Sequence, residues 1–431
     1  MDYQLIKIIH QLNPWLEDVT QTIIDRDNFL MRVQSKPLLD PIWDKKWLVL
    51  TGPRQAGKTT LGRYLCQTLI NEGRFQQLLY LNCDYLAIRR WLKSPLFVDE
   101  ALQQLSLDKP IIFIDEAQRL DNPGLLLKAV ADLNKPIKLI ASGSSQLELK
   151  SRVQEYLTGR QFECLVLPLS EEEAQQASAN WQERVVYGHY PEVVTTSQKA
   201  MLIRQIFQAY IDKDIIEILK VGQPDVLQKL IMLVAHSTGQ IIQYQQLAAD
   251  CQVDHKTIKR YLNILEKTYV IYRVTPFVGN KRTELTRNPV YYFLDNGFRN
   301  QALSYFAPLS TRQDAGLLVE SFVFQCIYKL KAQHFLNFDI HFWRTNAGAE
   351  VDFVLNKGLD QLLPVESKYR HFKQPTVSRA LRSFIQAYQP PRALIINKNL
   401  LDSVNVEGCQ VEFIPLEAVE RWQNFVSKFA Q

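Results

Sequence analysis

The sequence lacks the cysteine pattern of a disulfide framework or a structural zinc site. Its six cysteines are far apart in the 431 residues and include no Cys-x-x-Cys pair: Cys66, Cys83, Cys164, Cys251, Cys326 and Cys409. Scattered thiols of this kind are typical of proteins in a reducing compartment. We therefore expect a cytoplasmic protein whose thiols are free.

Long apolar runs are also missing. The most apolar segments, such as residues 111–114, are far too short to span a bilayer. Near the N-terminus, Asp2, Lys7 and Glu17 interrupt the apolar residues, which indicates an amphipathic helix and not a signal peptide. No association with a membrane is expected.

An excess of charge of one sign is absent. The 50 lysines and arginines are interspersed with 45 acidic residues, so the net charge is only +5. This balance permits nucleic-acid binding without indicating it. Apolar residues make up 46% of the chain, which is typical of a globular protein. The length predicts about two to four domains.

The clearest motif present is Gly-x-x-x-x-Gly-Lys-Thr-Thr at residues 52–60. A strand-forming run precedes it and a helical pattern follows, which is the context of a phosphate-binding loop. We expect Lys58 to reach the β- and γ-phosphates of ATP and the Thr59 hydroxyl to bind Mg²⁺. The residues predicted to contact the nucleotide are Gly52, Pro53, Arg54, Gln55, Ala56, Gly57, Lys58, Thr59 and Thr60.

A second nucleotide motif ends an apolar strand at residues 110–116. Carboxylates at the carboxyl end of such a strand lie at the same sheet edge as the phosphate-binding loop. We expect Asp115 to serve the Mg²⁺ ion and Glu116 to act as the base that polarises water. The two motifs together predict an ATP hydrolase.

Two further candidates follow in the chain. Ser144, or alternatively Ser142, comes after a third strand at the position of a γ-phosphate sensor, although a serine-glycine turn also serves simply as a turn. Arg160 is a candidate for stabilising the transition state, in cis or from a neighbouring subunit. The alternative is a surface arginine in an ion pair.

The middle of the chain predicts helices and then a helix-turn-helix. A short helix at residues 242–249 precedes Asp254, a plausible N-cap, and a second amphipathic helix. Strand patterns on either side of residues 277–289 resemble a wing. Lys256, Lys259 and Arg260 face solvent in this interpretation and are candidate DNA contacts. A winged helix used only for packing or dimerisation is the alternative.

Four polar residues in the last third follow the order helix, strand, strand. Glu320 lies on a predicted helix, Asp352 on a strand, and Glu366 and Lys368 on one face of the next strand. This is the PD-(D/E)xK arrangement of restriction-endonuclease-like folds. Asp352 and Glu366 suit Mg²⁺, Lys368 suits activation of water, and Glu320 suits a second metal or a water. Since such sites are often inactive within larger ATPases, an active nuclease and a binding module both remain open.

The sequence resembles a large prokaryotic family of AAA-type ATPases that have a C-terminal, restriction-endonuclease-like domain of unknown function. The segments that carry this resemblance include GPRQAGKTT, IIFIDEAQ, LTGRQFECLVLPLS, YYFLDNGFRN, FWRTNAGAEVDFVL and PVESKY. The resemblance covers nearly the whole chain and implies ATP binding, but it leaves the biological role open. Ser367 stands where members of the family often have valine.

These patterns predict an α/β protein of five segments. They are an N-terminal helical segment at 1–45, an AAA-type ATPase core at 46–175 with a parallel sheet covered by helices on both faces, a helical lid or linker at 176–227, a winged-helix domain at 228–295 and a restriction-endonuclease-like α/β domain at 296–431.

Three functions remain open at this stage. The first is an ATPase that associates with DNA and carries an Mg²⁺-dependent nuclease site. The second is a nucleotide-dependent switch or scaffold of the signalling-ATPase type, whose C-terminal domain is an inactive binding module. The third is an ATPase that assists transposition and acts through another protein. ATP and Mg²⁺ are the expected cofactors, and DNA, a second copy of the chain or another protein are the candidate partners.

Overall fold

The computed structural model describes residues 1–18, 21–24, 29–133, 135–143, 161–177, 180–217, 221–278, 288–345, 347–358 and 361–430. The chain divides into two compact units, Met1–Pro168 and Leu169–Gln431. Within the described ranges no helix is both long and apolar enough to cross a membrane.

The first unit contains a five-stranded sheet in the order β2-β3-β4-β1-β5, and every neighbouring pair is parallel. The strands are β1 (Trp47–Thr51), β2 (Leu78–Asn82), β3 (Ile111–Asp115), β4 (Lys138–Gly143) and β5 (Gln161–Leu165). Residues of β3 are buried on both faces, which explains its continuous apolar run.

Helices cover both faces of this sheet, as the sequence predicts. They are α1 (Tyr3–Leu12), α2 (Ser35–Leu38), α3 (Lys58–Asn71), α4 (Leu86–Trp91), α5 (Phe97–Gln104) and α6 (Pro123–Asp132). Alternate residues of β2 point to opposite faces, because side chains alternate along a strand. Leu79 packs with Ile9 of α1 and Leu127 of α6, whereas Leu78 packs with Leu65 of α3.

The second unit contains an eight-stranded mixed sheet in the order β12-β13-β11-β10-β9-β8-β6-β7. Its strands are β6 (Ile271–Pro276), β7 (Val290–Phe293), β8 (Asp339–Arg344), β9 (Glu350–Gly358), β10 (Gln361–Lys368), β11 (Arg392–Asn397), β12 (Asp402–Val406) and β13 (Cys409–Pro415). β9 is antiparallel to β8 and β10, while β10, β11 and β13 run parallel to one another.

The helices of the second unit are α7 (Glu171–Gln175), α8 (Trp181–Tyr187), α9 (Pro191–Thr195), α10 (Lys199–Ala209), α11 (Pro224–His236), α12 (Tyr244–Cys251), α13 (His255–Lys267), α14 (Asn296–Ala302), α15 (Ala315–Gln333), α16 (Arg379–Tyr388) and α17 (Val419–Ala430). The segment predicted as a helical lid or linker contains α8 to α10 and a π-helical stretch, Tyr210–Glu217. Its apolar side chains share one core with those of α11 to α13.

The N-cap predicted at Asp254 is confirmed. Its carboxylate accepts hydrogen bonds from the backbone N–H groups of Lys256 (2.8 Å) and Thr257 (3.0 Å) at the start of α13. Ile258 and Leu262 of this helix are buried, as their helical spacing predicts. After α13, β6 and β7 form an antiparallel pair, and residue Ile241 bridges Val290 of β7.

A buried ionic cluster holds the start of the second unit in place. Arg184 of α8 and His189 bind the carboxylate of Glu171 of α7, with Arg184 Nε at 2.9 Å and His189 Nε2 at 3.0 Å. Burial by itself would raise the pKa of Glu171, but the hydrogen bonds from His189 and Arg184 outweigh it and lower the pKa to about 2. Lys329 of α15 donates to the Leu169 carbonyl at 2.8 Å. Leu169–Gln175 is therefore packed within the second unit.

Candidate functional site

The phosphate-binding loop, residues 52–60, runs from the end of β1 into the first turn of α3. Gly52 (φ 143°) and Gly57 (φ 93°) have backbone conformations that favour glycine. A Cβ on Gly52 would lie 2.0 Å from the Val166 carbonyl oxygen, so a side chain cannot fit there. Ala56, within the loop, is fully buried.

Lys58 begins α3 and is almost completely buried, with 5% of its surface exposed. Its ammonium group donates to the carbonyl oxygens of Gly52 (2.9 Å) and Pro53 (2.7 Å), both in the loop that it is predicted to serve. A buried ammonium needs acceptors, and the loop supplies them. The cation is therefore held at the mouth of the loop, where phosphate oxygens could replace these carbonyls.

Asp115 is the centre of the candidate nucleotide site. Its Oδ2 accepts hydrogen bonds from the hydroxyls of Thr59 (2.8 Å) and Tyr80 (2.7 Å). Its Oδ1 accepts from the Ser142 hydroxyl and from the Glu116 N–H, the latter at 3.2 Å. The structure thus brings together the two nucleotide motifs, which are 56 residues apart in the chain.

Sheet register explains this convergence. β3 lies between β2 and β4, and Ala141 of β4 is paired with Ile114. Ser142 therefore lies beside Asp115. Tyr80 of β2 pairs with Phe113, two residues before Asp115, so its side chain points to the same face of the sheet as the carboxylate. Ser142, the alternative sensor, contacts the carboxylate, whereas Ser144 and Arg160 lie outside the described residues.

Glu116, the candidate base, directly follows β3. Its backbone adopts a left-handed conformation (φ 54°, ψ 38°), which is uncommon for a residue other than glycine and often occurs at functional sites. The side-chain amide of Gln118 donates to the Glu116 carboxylate. The chain thus turns sharply after Asp115 and places the second carboxylate beyond the sheet edge.

Several supporting residues come from the N-terminal segment. Arg32, with 4% of its surface exposed, donates to the carbonyls of Ala56 and Leu167, both at 2.7 Å. The side-chain amide of Asn13 donates to the Tyr80 carbonyl at 2.9 Å, and its oxygen accepts from the Tyr80 N–H. The guanidinium of Arg63 lies 4.3 Å from the Tyr80 ring centroid. Nothing in the local sequence indicates these contacts, because the partners are distant in the chain.

The four residues predicted in the last third of the chain belong to a second candidate site, which we call the acidic site. Lys368 Nζ of β10 lies 3.3 Å from Asp352 Oδ2 of β9 and 3.9 Å from Glu366 Oε2. The Ser367 N–H donates to the same Asp352 oxygen at 2.7 Å, and the Ser378 hydroxyl donates to Glu366 Oε1 at 2.8 Å. The structure therefore places Lys368 between two carboxylates.

Glu320 of α15 completes this acidic site. Burial and the nearby charge of Asp352 raise the pKa of Glu320 to about 8, and burial raises the pKa of Glu366 to about 7. Glu366 Oε2 is buried and has no hydrogen-bond donor among the described residues, which leaves an oxygen suited to a cation. Within the same part of the chain, however, no group of three or more His, Cys, Asp or Glu side chains is arranged to hold a metal ion.

The candidate DNA contacts share the solvent-exposed face of α13. Lys256, Lys259 and Arg260 are all exposed. Lys259 Nζ lies 5.0 Å from the ring centroid of Tyr244, and the Arg260 guanidinium lies 5.1 Å from that of Tyr261. The face opposite to these cations is buried in the helical core.

Comparison with protein families agrees with the geometry of the first unit. Residues 44–175 match a family model described as an AAA domain. This match covers about a third of the chain. Two further models are described as domains of unknown function, DUF8612 at residues 178–309 and DUF4143 at residues 315–419. The AAA match supports a nucleotide-binding, ATPase-type unit at residues 44–175.

Two relatives are similar in sequence over most of this chain. An uncharacterized protein of Mycobacterium tuberculosis is 24% identical over 395 residues, which cover 90% of this chain and 83% of the relative. An uncharacterized protein of Haemophilus influenzae is 24% identical over 306 residues, covering 66% of this chain and 75% of the relative.

Likeness to solved structures is limited. The ADP form of the ORC2 protein of Aeropyrum pernix gives a TM-score of 0.32 at 12% identity, over 63% of this chain and 92% of that chain. AMPPCP-bound DnaA from Aquifex aeolicus gives 0.28 at 14% identity, over 59% and 92%. The description of the nucleotide site therefore depends on the AAA match and on the residue geometry.

The contact of Tyr80 with Asp115 generates a prediction. Replacing Tyr80 with Phe removes the 2.7 Å hydrogen bond but keeps the ring, so Asp115 loses one of the groups that orient it. We expect Tyr80→Phe to lower the kcat of ATP hydrolysis by about 10- to 100-fold and to raise the Mg²⁺ concentration needed for half-maximal rate. Initial rates measured across a Mg²⁺ series provide the check.

The matched control is Tyr85→Phe, because Tyr85 is 39% exposed in the same unit. An unchanged Mg²⁺ profile and kcat in Tyr80→Phe would contradict a positioning role for the Tyr80 hydroxyl.

Proposed function

We propose that this chain binds ATP·Mg²⁺ through residues 52–60, hydrolyses it with Asp115 and Glu116, and does so in association with DNA. The observation that carries this proposal is the 2.8 Å hydrogen bond from Thr59 to Asp115, at the carboxyl edge of a parallel sheet beside the buried Lys58. In phosphate-binding-loop ATPases the loop hydroxyl and the carboxylate at the strand end hold Mg²⁺ together, so the two groups must lie side by side.

Each residue has a separate task in this proposal. Lys58 exchanges its loop carbonyls for phosphate oxygens, and the N–H groups at the start of α3 bind the remaining negative charge. Thr59 supplies the metal ligand while Asp115 orients the Thr59 hydroxyl. Glu116 accepts the proton of the attacking water, and Gln118 holds the Glu116 carboxylate. Mg²⁺, when bound with ATP, neutralises charge that develops on the transferred phosphoryl group.

Two more residues have roles in the same proposal. Arg160 stabilises negative charge in the transition state, in cis or from a second copy of the chain. Ser144 senses the γ-phosphate. Ser142 is the alternative for this role, and its contact with Asp115 supports that alternative, because it links the end of β4 to the proposed metal-binding edge.

Glu116→Gln tests the assignment of the base. We expect ATP affinity to stay within about twofold while kcat falls at least about 100-fold, since the amide cannot accept the proton of water. Fluorescent-nucleotide binding and single-turnover hydrolysis measure the two quantities separately. Lys58→Ala, which should abolish binding, and Glu72→Gln at the far end of α3 are the controls. Normal turnover in Glu116→Gln would exclude this residue as the base.

Helices α11 to α13 support the DNA-binding part of the proposal. Three helices followed by the antiparallel pair β6 and β7, with the bridge from Ile241, are what a winged helix would need, and they support this interpretation. Helix α13 presents Lys256, Lys259 and Arg260 on one exposed face. We propose that these cations contact phosphates or base edges of DNA.

Salt dependence tests this interface. Alanine at Lys256, Lys259 and Arg260 together should weaken binding to duplex DNA and reduce the slope of log K against log salt by about two to three units. Lys229→Ala, on the exposed face of α11, is the matched control. Fluorescence anisotropy at several salt concentrations gives both quantities. Equal slopes for the wild type and the triple variant would remove α13 from the proposed interface.

The element order of the last third supports a metal-dependent phosphodiester site. α15, β8, β9, β10, α16 and β11 follow one another as the restriction-endonuclease-like arrangement requires, and Lys368 reaches both Asp352 and Glu366. In this proposal Asp352 and Glu366 bind Mg²⁺ through hard oxygens, and Lys368 orients the attacking water.

The segment predicted as a winged helix contains residues that contact the same site. The Tyr292 hydroxyl of β7 donates to Glu320 Oε1 at 2.6 Å, and a Cβ on Gly239 would lie 2.8 Å from that oxygen. The position of Glu320 therefore depends on residues that precede the last third of the chain. This arrangement would couple DNA contact at α13 to the acidic site.

Cleavage of supercoiled plasmid and of single-stranded DNA tests the acidic site. With Mg²⁺ or Mn²⁺, Lys368→Ala should reduce cleavage by at least about 100-fold, while Lys373→Ala, at an exposed position, should not. Activity should rise with pH through about 7 and about 8, because protonated Glu366 and Glu320 cannot bind metal. Cleavage that is independent of pH between 6 and 9 (roughly the range set by these pKa values) would contradict the assignment of these two acids.

A nucleotide-dependent switch is the second candidate function. The observation that favours it is the ion pair of Lys368 with Asp352, together with the lack of a three-residue metal cluster in the described ranges. In that case the last third is a binding module. ATP hydrolysis without DNA cleavage or DNA affinity, but with ATP-dependent assembly, would support this function.

A further inference from the structure

The first unit has a groove that the proposed function does not use. Its volume is about 700 Å³, within the range of ligand pockets. It lies between α4 and α6 and includes the segment that follows the candidate base. All of its lining residues belong to the first unit and lie outside the phosphate-binding loop.

The charges around this groove are mostly positive. Four cations line it, and they are Arg89, Arg90, Lys93 and Arg119. Asp121 is the one carboxylate among the described lining residues, and Asp84 at the margin pairs with Arg119 at 3.3 Å. Arg89 Nε is buried and has no hydrogen-bond acceptor among the described residues. An unsatisfied buried donor of this kind favours an anionic ligand.

Apart from Asn122, the remaining lining residues are aliphatic. Leu86 of α4 and Leu125 of α6 are each 53% exposed, and Leu92, Leu120 and Leu126 lie between them. Exposed leucines beside cations are the complement of a segment that carries both carboxylates and aliphatic side chains. Helices of that type bind in grooves through apolar residues at i, i+3, i+4 and i+7.

Single-stranded nucleic acid is a poorer fit. Proteins that bind it combine a basic groove with aromatic side chains on which bases stack. Among the described residues that line this groove, none is aromatic. Leucines would remain exposed beside a phosphate backbone, whereas an amphipathic helix would bury them.

We infer that this groove is a docking site for an acidic amphipathic helix of a partner protein. The arginines on α4 bind the carboxylates of the partner, and Leu86 and Leu125 pack against its apolar face. The AAA domain would then have a protein-binding surface separate from the nucleotide site and from the candidate DNA contacts.

A designed peptide tests this inference on the full-length protein. The probe is a fluorescein-labelled helical peptide of about 14 residues, made of Glu and Leu with the leucines on one face. Comparator probes replace Glu with Lys, replace Leu with Ser, or consist of oligothymidine. Anisotropy is measured at low salt and at about 0.15 M salt.

We expect the Glu/Leu peptide to bind the wild-type protein. Its affinity should fall at least about tenfold in the double variant Arg89→Glu, Arg90→Glu. Leu125→Ser should weaken it about threefold or more. Lys128→Glu, on α6 but outside the groove, is the matched charge control and should have little effect. ATP binding by each variant shows that the first unit is folded.

Three outcomes would overturn the inference. The first is that the Glu/Leu peptide does not bind. The second is that its affinity is the same for the double Arg variant and the Lys128 variant, and the third is that the Lys/Leu peptide binds equally well. Binding of oligothymidine that is lost in the double Arg variant, without binding of the Glu/Leu peptide, would assign the groove to nucleic acid.

Discussion

The pairing of Asp115 with Thr59 is the constraint on which the nucleotide site depends. A carboxylate with 3% of its surface exposed must be satisfied by donors, and here two strands and a helix supply them. The order of the parallel sheet is what brings these donors together. If β2 or β4 shifted by one residue, its side chain would point to the opposite face and the carboxylate would lose a partner. The strand order of the sheet is therefore also what satisfies the Asp115 carboxylate.

Motifs with strict local chemistry could be predicted from the sequence. The loop at 52–60 and the apolar strand before Asp115 each contain their own signal, as does the cap at Asp254. The alternation of Glu366 and Lys368 predicted a shared face, and their side chains approach within 3.9 Å. The bounds of helices in long amphipathic segments were predicted less exactly. Residues 181–226 contain several short helices, and the breaks between them depend on packing within a shared core.

Contacts between distant segments could not be predicted from a single sequence. Asn13, Arg32 and Tyr80 carry no motif, and each acts through a backbone or carboxylate partner far along the chain. The same holds for Tyr292 and Gly239, which contact or confine Glu320 and precede the segment predicted as its domain. Strands β12 and β13 and helix α17 follow the last segment that showed a clear pattern, and β12 is mostly exposed and polar.

The clamp of Asn13 on the Tyr80 backbone has a consequence for where the ATPase unit begins. The AAA match starts at residue 44, yet Asn13 holds β2 and Arg32 holds the phosphate-binding loop from residues that precede it. A fragment cut at residue 44 would keep every motif residue and lose both braces. The nucleotide affinity of such a fragment would be that of a site without these two braces, because the compact unit that contains the site includes α1.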